Sequence, residues 1–218
     1  MSGPIDKAQV FNADASVRQQ AHENVVKSIK DGGPAAIATL GLPEAILAAL
    51  GEKKNEGARQ GAADLISAIV AGGVFTSVEP YLLLSTQHDV FGALLQAFAD
   101  KSQGPRDAAV KAVRDFVAVM NNWATTLILP PLLEQIRTAG KWQIKTGGLS
   151  VLDQLVQSVP DQMARLMPEC MPVLAEVIWD TKSDVKKAAR SSLKKICSLV
   201  SCFFFLIISF IILTLLCF

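Results

Sequence analysis

The stretch Leu166–Ile196, LMPECMPVLAEVIWDTKSDVKKAARSSLKKI, holds two helical apolar patterns joined by a short polar turn. Leu174, Val177 and Ile178 recur at helical spacing behind Pro168 and Pro172. Proline is tolerated in a first helical turn because its missing N–H would be unpaired there anyway. In the second half Val185, Ala189, Leu193 and Ile196 form one stripe, with Lys186, Lys187, Arg190 and Lys194 on its flanks. Asp180, Thr181, Ser183 and Asp184 lie between the halves and supply side chains that accept from orphan amides at a helix start. The spacing predicts a helical hairpin. One hairpin cannot bury both of its faces, so this pattern needs neighbours of its own kind.

The rest of the chain repeats the template faintly. ASVRQQAHENVVKSI places Val17, Ala21 and Val25 on one face, and Gly41–Leu50 follows as an apolar second helix. Gly57–Val70 aligns Ala62, Ile66 and Ile69 with Ala189, Leu193 and Ile196, and its partner is expected from Ser77 through VFGALLQAF. A third pair joins GPRDAAVKAVRDFVAVM, with Ala109, Val113 and Phe116 on the stripe, to ATTLILPPLLEQI. KWQIKTGGLSVLDQLVQSV opens a fourth, with Gly148, Leu152 and Leu155 on the stripe. The aligned positions Ser16, Gly57, Gly104, Gln143 and Asp184 step by roughly 40 residues, the period of HEAT and armadillo arrays. Strand alternation is scarce, and Gly, Pro, Asn or Asp punctuate the helices. The expected fold is all-α, an α-solenoid of about four to five HEAT-like hairpins in an armadillo-like superhelix. Residues 13–196 form the expected array, behind an N-terminal tail of 1–12.

Composition narrows the function classes. Half of the 218 residues are hydrophobic and the formal net charge is +1, so net charge by itself points to neither an acidic nor a basic partner. Cys170, Cys197, Cys202 and Cys217 form no Cys-x-x-Cys pair, which suggests neither a disulfide framework nor a zinc site. The N-terminus, MSGPIDKAQVFNADASVRQQ, lacks the basic-then-apolar pattern of a secretory signal, so a cytoplasmic protein is expected. The segment 197–218 carries no charge and has the length and composition of a membrane span. It reads either as a C-terminal anchor, which alone would make the membrane a partner, or as translated intron, since Phe, Leu, Ile, Ser and Cys are specified largely by pyrimidine-rich codons.

No catalytic constellation emerges. His22 and His88 lack a Cys or paired carboxylate at ligand spacing. Gly140-Lys141 fails as a phosphate loop, because Trp142 follows it and Gln135 occupies the place of the first glycine. Gly32-Gly33, Gly72-Gly73 and Gly147-Gly148 read as helix ends or close helix contacts. The expected protein uses no cofactor, metal or small-molecule substrate. One positive feature remains: Lys182, Lys186, Lys187, Arg190, Lys194 and Lys195 surround a single acid, Asp184, and such a cluster can neutralise phosphates as readily as it can solvate a helix face. Trp142 and Trp179 fall at hairpin turns, where packing between repeats is the expectation.

Three stretches carry a resemblance: MPECMPVLAEVIWDTKSDVKKAA, SVEPY at Ser77–Tyr81 and KWQIK at Lys141–Lys145. Together they resemble the N-terminal HEAT region of translation elongation factor 3, a cytosolic, ribosome-associated ATPase with two ATP-binding cassettes. The most specific piece is MPVLAEVIWDTKSDVKKAA, because generic HEAT units rarely carry a Trp-Asp-Thr-Lys turn. The resemblance implies a module that docks on ribosomal RNA or protein, within a factor that uses ATP to help release deacylated tRNA from the exit site. The family continues into further HEAT units, a four-helix region and two cassettes, none of which this sequence contains, so ATPase activity is not carried over and a non-catalytic fragment is expected. LLSTQHD, Leu83–Asp89, looks longer than the family pattern and is expected to interrupt a helix. Two rivals stand beside this reading. One is a HEAT scaffold of the TOG kind that binds tubulin or another protein; the other is a tail-anchored membrane adaptor.

Overall fold

The computed structural model describes residues 5–74, 79, 82, 83 and 88–216, with the side chains of 200–216 outside the description. The helix start expected at Ser77, most of SVEPY and the core of LLSTQHD lie outside the described residues. Of the described residues 79% are helical, and no strand occurs among them. The chain forms two compact units that divide between Asn121 and Asn122.

In the first unit the helices are α1 (Lys7–Val10), α2 (Ala15–Gly32), α3 (Ala35–Leu40), α4 (Leu42–Leu50), α5 (Glu56–Ala71), α6 (Val90–Ala97) and α7 (Gln103–Val119). Side-chain caps set several starts. Asp14 accepts from the Ser16 amide at 2.8 Å to open α2, and Asn55 accepts from the Ala58 amide at 3.1 Å to open α5. The second helix expected over Gly41–Leu50 is α4, and a further short helix, α3, precedes it across a glycine joint at Gly41, whose φ of 61° lies in the left-handed region. The stretch expected as an N-terminal tail contains α1, and Ile5, Val10 and Phe11 beside it are buried.

Helix α5 is central to this unit, packed on α2, α4 and α7. Its small residues permit that: Ala62 and Ala63 are fully buried, and a Cβ added at Gly57 would lie 2.8 Å from the Ala13 Cα. Ala62, Ile66 and Ile69 are fully buried, as are Ala109, Val113 and Phe116 of α7. On α2 the stripe is rotated from expectation. Val17 is 37% exposed, and Arg18, Ala21, His22, Val25 and Ile29 face inward instead.

The second unit contains a 3-10 turn (Asn122–Ala124), α8 (Thr125–Thr138), α9 (Trp142–Ser158), α10 (Pro160–Arg165), α11 (Met167–Val177) and α12 (Ser183–Leu216). The hairpin stacking expected of a solenoid is present here: α9 lies beside α12, and α11 packs on both α8 and α12. Gly148 marks a close approach, because a Cβ there would meet Ile136 of α8 at 2.7 Å. Leu152 and Leu155 are fully buried, as are Val185, Ala189 and Ile196 of α12. Leu193 is only half-buried; Ser192 takes its place on the buried face. The helices of the expected third pair both form, α7 in the first unit and α8 in the second.

Candidate functional site

Geometry first separates structural cations from surface ones. Two residues beyond each aligned position Ser16, Gly57, Gly104, Gln143 and Asp184 stands a cation: Arg18, Arg59, Arg106, Lys145 and Lys186. The first three fold back on the turn that precedes their own helix. Arg18 Nη1 donates to the Asn12 and Ala13 carbonyls, both at 2.9 Å, Arg59 Nη1 to the Glu52 carbonyl at 2.8 Å and Arg106 Nη1 to the Asp100 carbonyl at 2.7 Å. Two of the five also reach an aspartate in the turn before the next first helix. Arg59 forks onto Asp100 at 2.6 and 3.1 Å, and Lys145 meets Asp180 at 2.8 Å. Arg59 and Lys145 thereby tie successive repeats together. Burial pushes the Asp100 carboxyl up, but the Arg59 bonds and the Ser102 amide more than offset it, so it stays below the ordinary value. Nothing in the apolar periodicity points to this series; the repeat register does.

The six basic candidates then fall into separate environments. Lys195 forms an ion pair with Asp153 of α9. Lys186 occupies the register of Arg59 and Lys145 and is half-buried. Lys182 is exposed on the turn before α12, with its backbone amide on Asp180 Oδ1 at 2.9 Å. Lys187, Arg190 and Lys194 are exposed on the face of α12 opposite Val185, Ala189 and Ile196, one helical turn apart. The structure therefore brings together a row of three, with Lys182 at its N-terminal end.

The tryptophans depart from expectation. Trp179 is 80% exposed and Trp142 is 40% exposed, so neither plugs a joint between repeats. Both belong to one edge of the second unit: Trp142 opens α9 one turn before Lys145, and Trp179 precedes Asp180, the partner of Lys145. The Lys145 ammonium and the Lys182 amide hold the Asp180 carboxyl below its ordinary value, and the pair is 18% and 11% exposed. That ion pair is what pins the turn carrying Trp179. Trp123 is exposed as well, at the start of this unit.

An open groove of about 840 Å³ runs along α2 and α5 of the first unit. Two of its polar residues are committed to the fold: His22 Nε2 donates to the Val10 carbonyl at 3.0 Å, and Arg18 is held by the carbonyls above and by Asp64. The Cys170 thiol lies buried in the second unit, where burial pushes it up to about 12, far from a reactive thiolate.

A helical-hairpin repeat module with an exposed basic and aromatic edge is the class that these features define. The family described as EF3 N-terminal HEAT repeat matches residues 18–193, and the chain belongs to that family. Elongation factor 3 of Mycosarcoma maydis is 43% identical over 183 residues, 84% of this chain and 17% of that protein. Elongation factor 3 of Gonapodya prolifera is 30% identical over 210 residues, 92% of this chain and 19% of that one. The chain thus spans under a fifth of these relatives' length. Importin beta aligns over 88% of this chain and 24% of its own at 18% identity, with a TM-score of 0.48. A designed armadillo repeat protein aligns over 87% and 80% at 16% identity, with a TM-score of 0.42.

Among the described residues no helix is long and apolar enough to cross a membrane. The anchor reading rests on side chains that lie outside them.

Proposed function

We propose that this chain is a non-catalytic ribosome-docking module of the elongation factor 3 type, working in the cytoplasm, with residues 13–196 as its docking array. The observation that carries the reading is the outward row Lys187, Arg190 and Lys194, three cations on rigid backbone whose neighbours on the same helix are buried in the repeat stack. Such a row suits ribosomal RNA phosphates, because each neutralised phosphate releases counterions. Lys182 extends it. Lys186 and Lys195, half-buried and on the flanks of the helix, contribute little directly.

Cosedimentation with ribosomes tests this reading. Reversal of all three charges, K187E/R190E/K194E, is expected to cut binding at low salt and to lower the log–log salt slope by about one for each phosphate left without its cation. A triple variant that sediments with ribosomes as wild type does removes the site. Exposed tryptophans at turns are also what a TOG-like protein scaffold would present, and binding to purified tubulin without binding to ribosomes would replace the present reading with that one.

A further inference from the structure

The basic row does not explain why two indoles of the same unit stand in water. Trp179 is 80% exposed at the tip of the α11–α12 turn, and Trp142 is 40% exposed on the same edge. An exposed indole offers a large rigid face with a polar N–H, which a partner can use. The turn is also held still. Lys145 and Asp180 are bonded at 2.8 Å, and Asp180 Oδ1 takes the Lys182 amide at 2.9 Å, so the residue bearing the more exposed indole is fixed between two helices.

We propose that Trp179, flanked by Trp142, is a stacking platform for an unpaired RNA base, with the adjoining phosphates on Lys182 and the Lys187–Arg190–Lys194 row. The inference rests on the ribosome-docking reading and narrows its partner to single-stranded RNA. The surroundings of the indole favour a base over a protein side chain. Its exposed neighbours within four residues are Ala175, Glu176, Thr181, Lys182 and Ser183, of which only the small Ala175 is apolar, whereas an aromatic hot spot between proteins sits in a pocket that the surrounding side chains seal from water. A base needs only a π face and a nearby cation for its phosphate. Paired RNA is a poor fit, because bases within an A-form helix are already stacked and their faces are unavailable.

The test uses the full chain and two probes: a single-stranded oligouridylate of about 10 nucleotides, within the usual range of site sizes, and an RNA duplex of the same length. Trp179→Ala is expected to weaken oligouridylate binding about tenfold, Trp142→Ala by less, and Trp179→Phe to retain most of it, because a base stacks on either ring. Wild type is expected to prefer the single strand, and Trp179→Ala to reduce ribosome cosedimentation in parallel. Three outcomes overturn the platform: oligouridylate binding that is absent, equal oligouridylate binding by wild type and Trp179→Ala, or loss of ribosome binding alone, which assigns the indole to a ribosomal protein. The broader reading fails separately. If K187E/R190E/K194E abolishes ribosome binding and Trp179→Ala leaves it intact, docking stands and the platform falls; if neither variant changes it, both fall.

Discussion

At the residue scale, buried charge decides what is structural. Arg59 and Asp100 are 7% and 10% exposed and share two hydrogen bonds, so removing one partner strands the other away from water. Arg59→Met is expected to destabilise the protein by about 3 kcal/mol in urea unfolding, and Arg59→Met/Asp100→Asn to recover part of that loss. Equal losses in the single and double variants would show that the cost is packing. His22 makes a second residue-scale prediction. Burial lowers its folded pKa below 6.5, partly opposed by the Val10 carbonyl, so the unfolded chain takes up a proton that the folded chain refuses. Stability should be full above 6.5 and fall as pH drops through and below it. Asp100 and Asp180 are shifted downward from 3.8, so their contributions remain complete in that window. Thermal unfolding from about pH 8 to about pH 5 should show the decline in wild type and a flatter profile in His22→Gln, which keeps an N–H for Val10.

At the element scale, close helix approaches set the repeat geometry. Gly57 meets backbone: an added Cβ would lie 2.8 Å from the Ala13 Cα, which has no rotamer to yield. Gly57→Ala is therefore expected to destabilise by about 1–3 kcal/mol despite alanine's better helix propensity, and a gain in melting temperature would show that the turn before α2 relaxes freely. The helical stripes were legible in outline. Ala62, Ile66, Ile69, Ala109, Val113 and Phe116 are all fully buried, as their spacing predicts. The errors were of one residue: Arg18 for Val17 and Ser192 for Leu193. A guanidinium held at one end by carbonyls can carry its apolar stem inward, and residue-type hydrophobicity does not register that.

At the scale of the molecule, a net charge of +1 offers little long-range attraction to RNA, so the proposed ribosome docking would draw on a local patch. The wild-type salt slope is accordingly expected to reflect about three or four neutralised phosphates in the cosedimentation test above, and a much steeper slope would place most of the interface away from α12. The two units Met1–Asn121 and Asn122–Phe218 divide within the expected third pair, at a point that repeat periodicity does not mark. Periodicity records which face of each helix is buried, and it says nothing of how densely successive faces touch.

The amino-acid sequence by itself determined an all-helical array of hairpins, its register, its family resemblance and the lysine-rich helix, because these depend on local spacing and residue type. Only the tertiary structure decided which cations are committed to the fold. A lysine on a helix flank looks the same in sequence whether it faces water, as Lys187 does, or an aspartate of the neighbouring helix, as Lys195 does. It also decided that Trp142 and Trp179 stand outside the core, since the burial of an indole depends on what the adjoining repeat places above it.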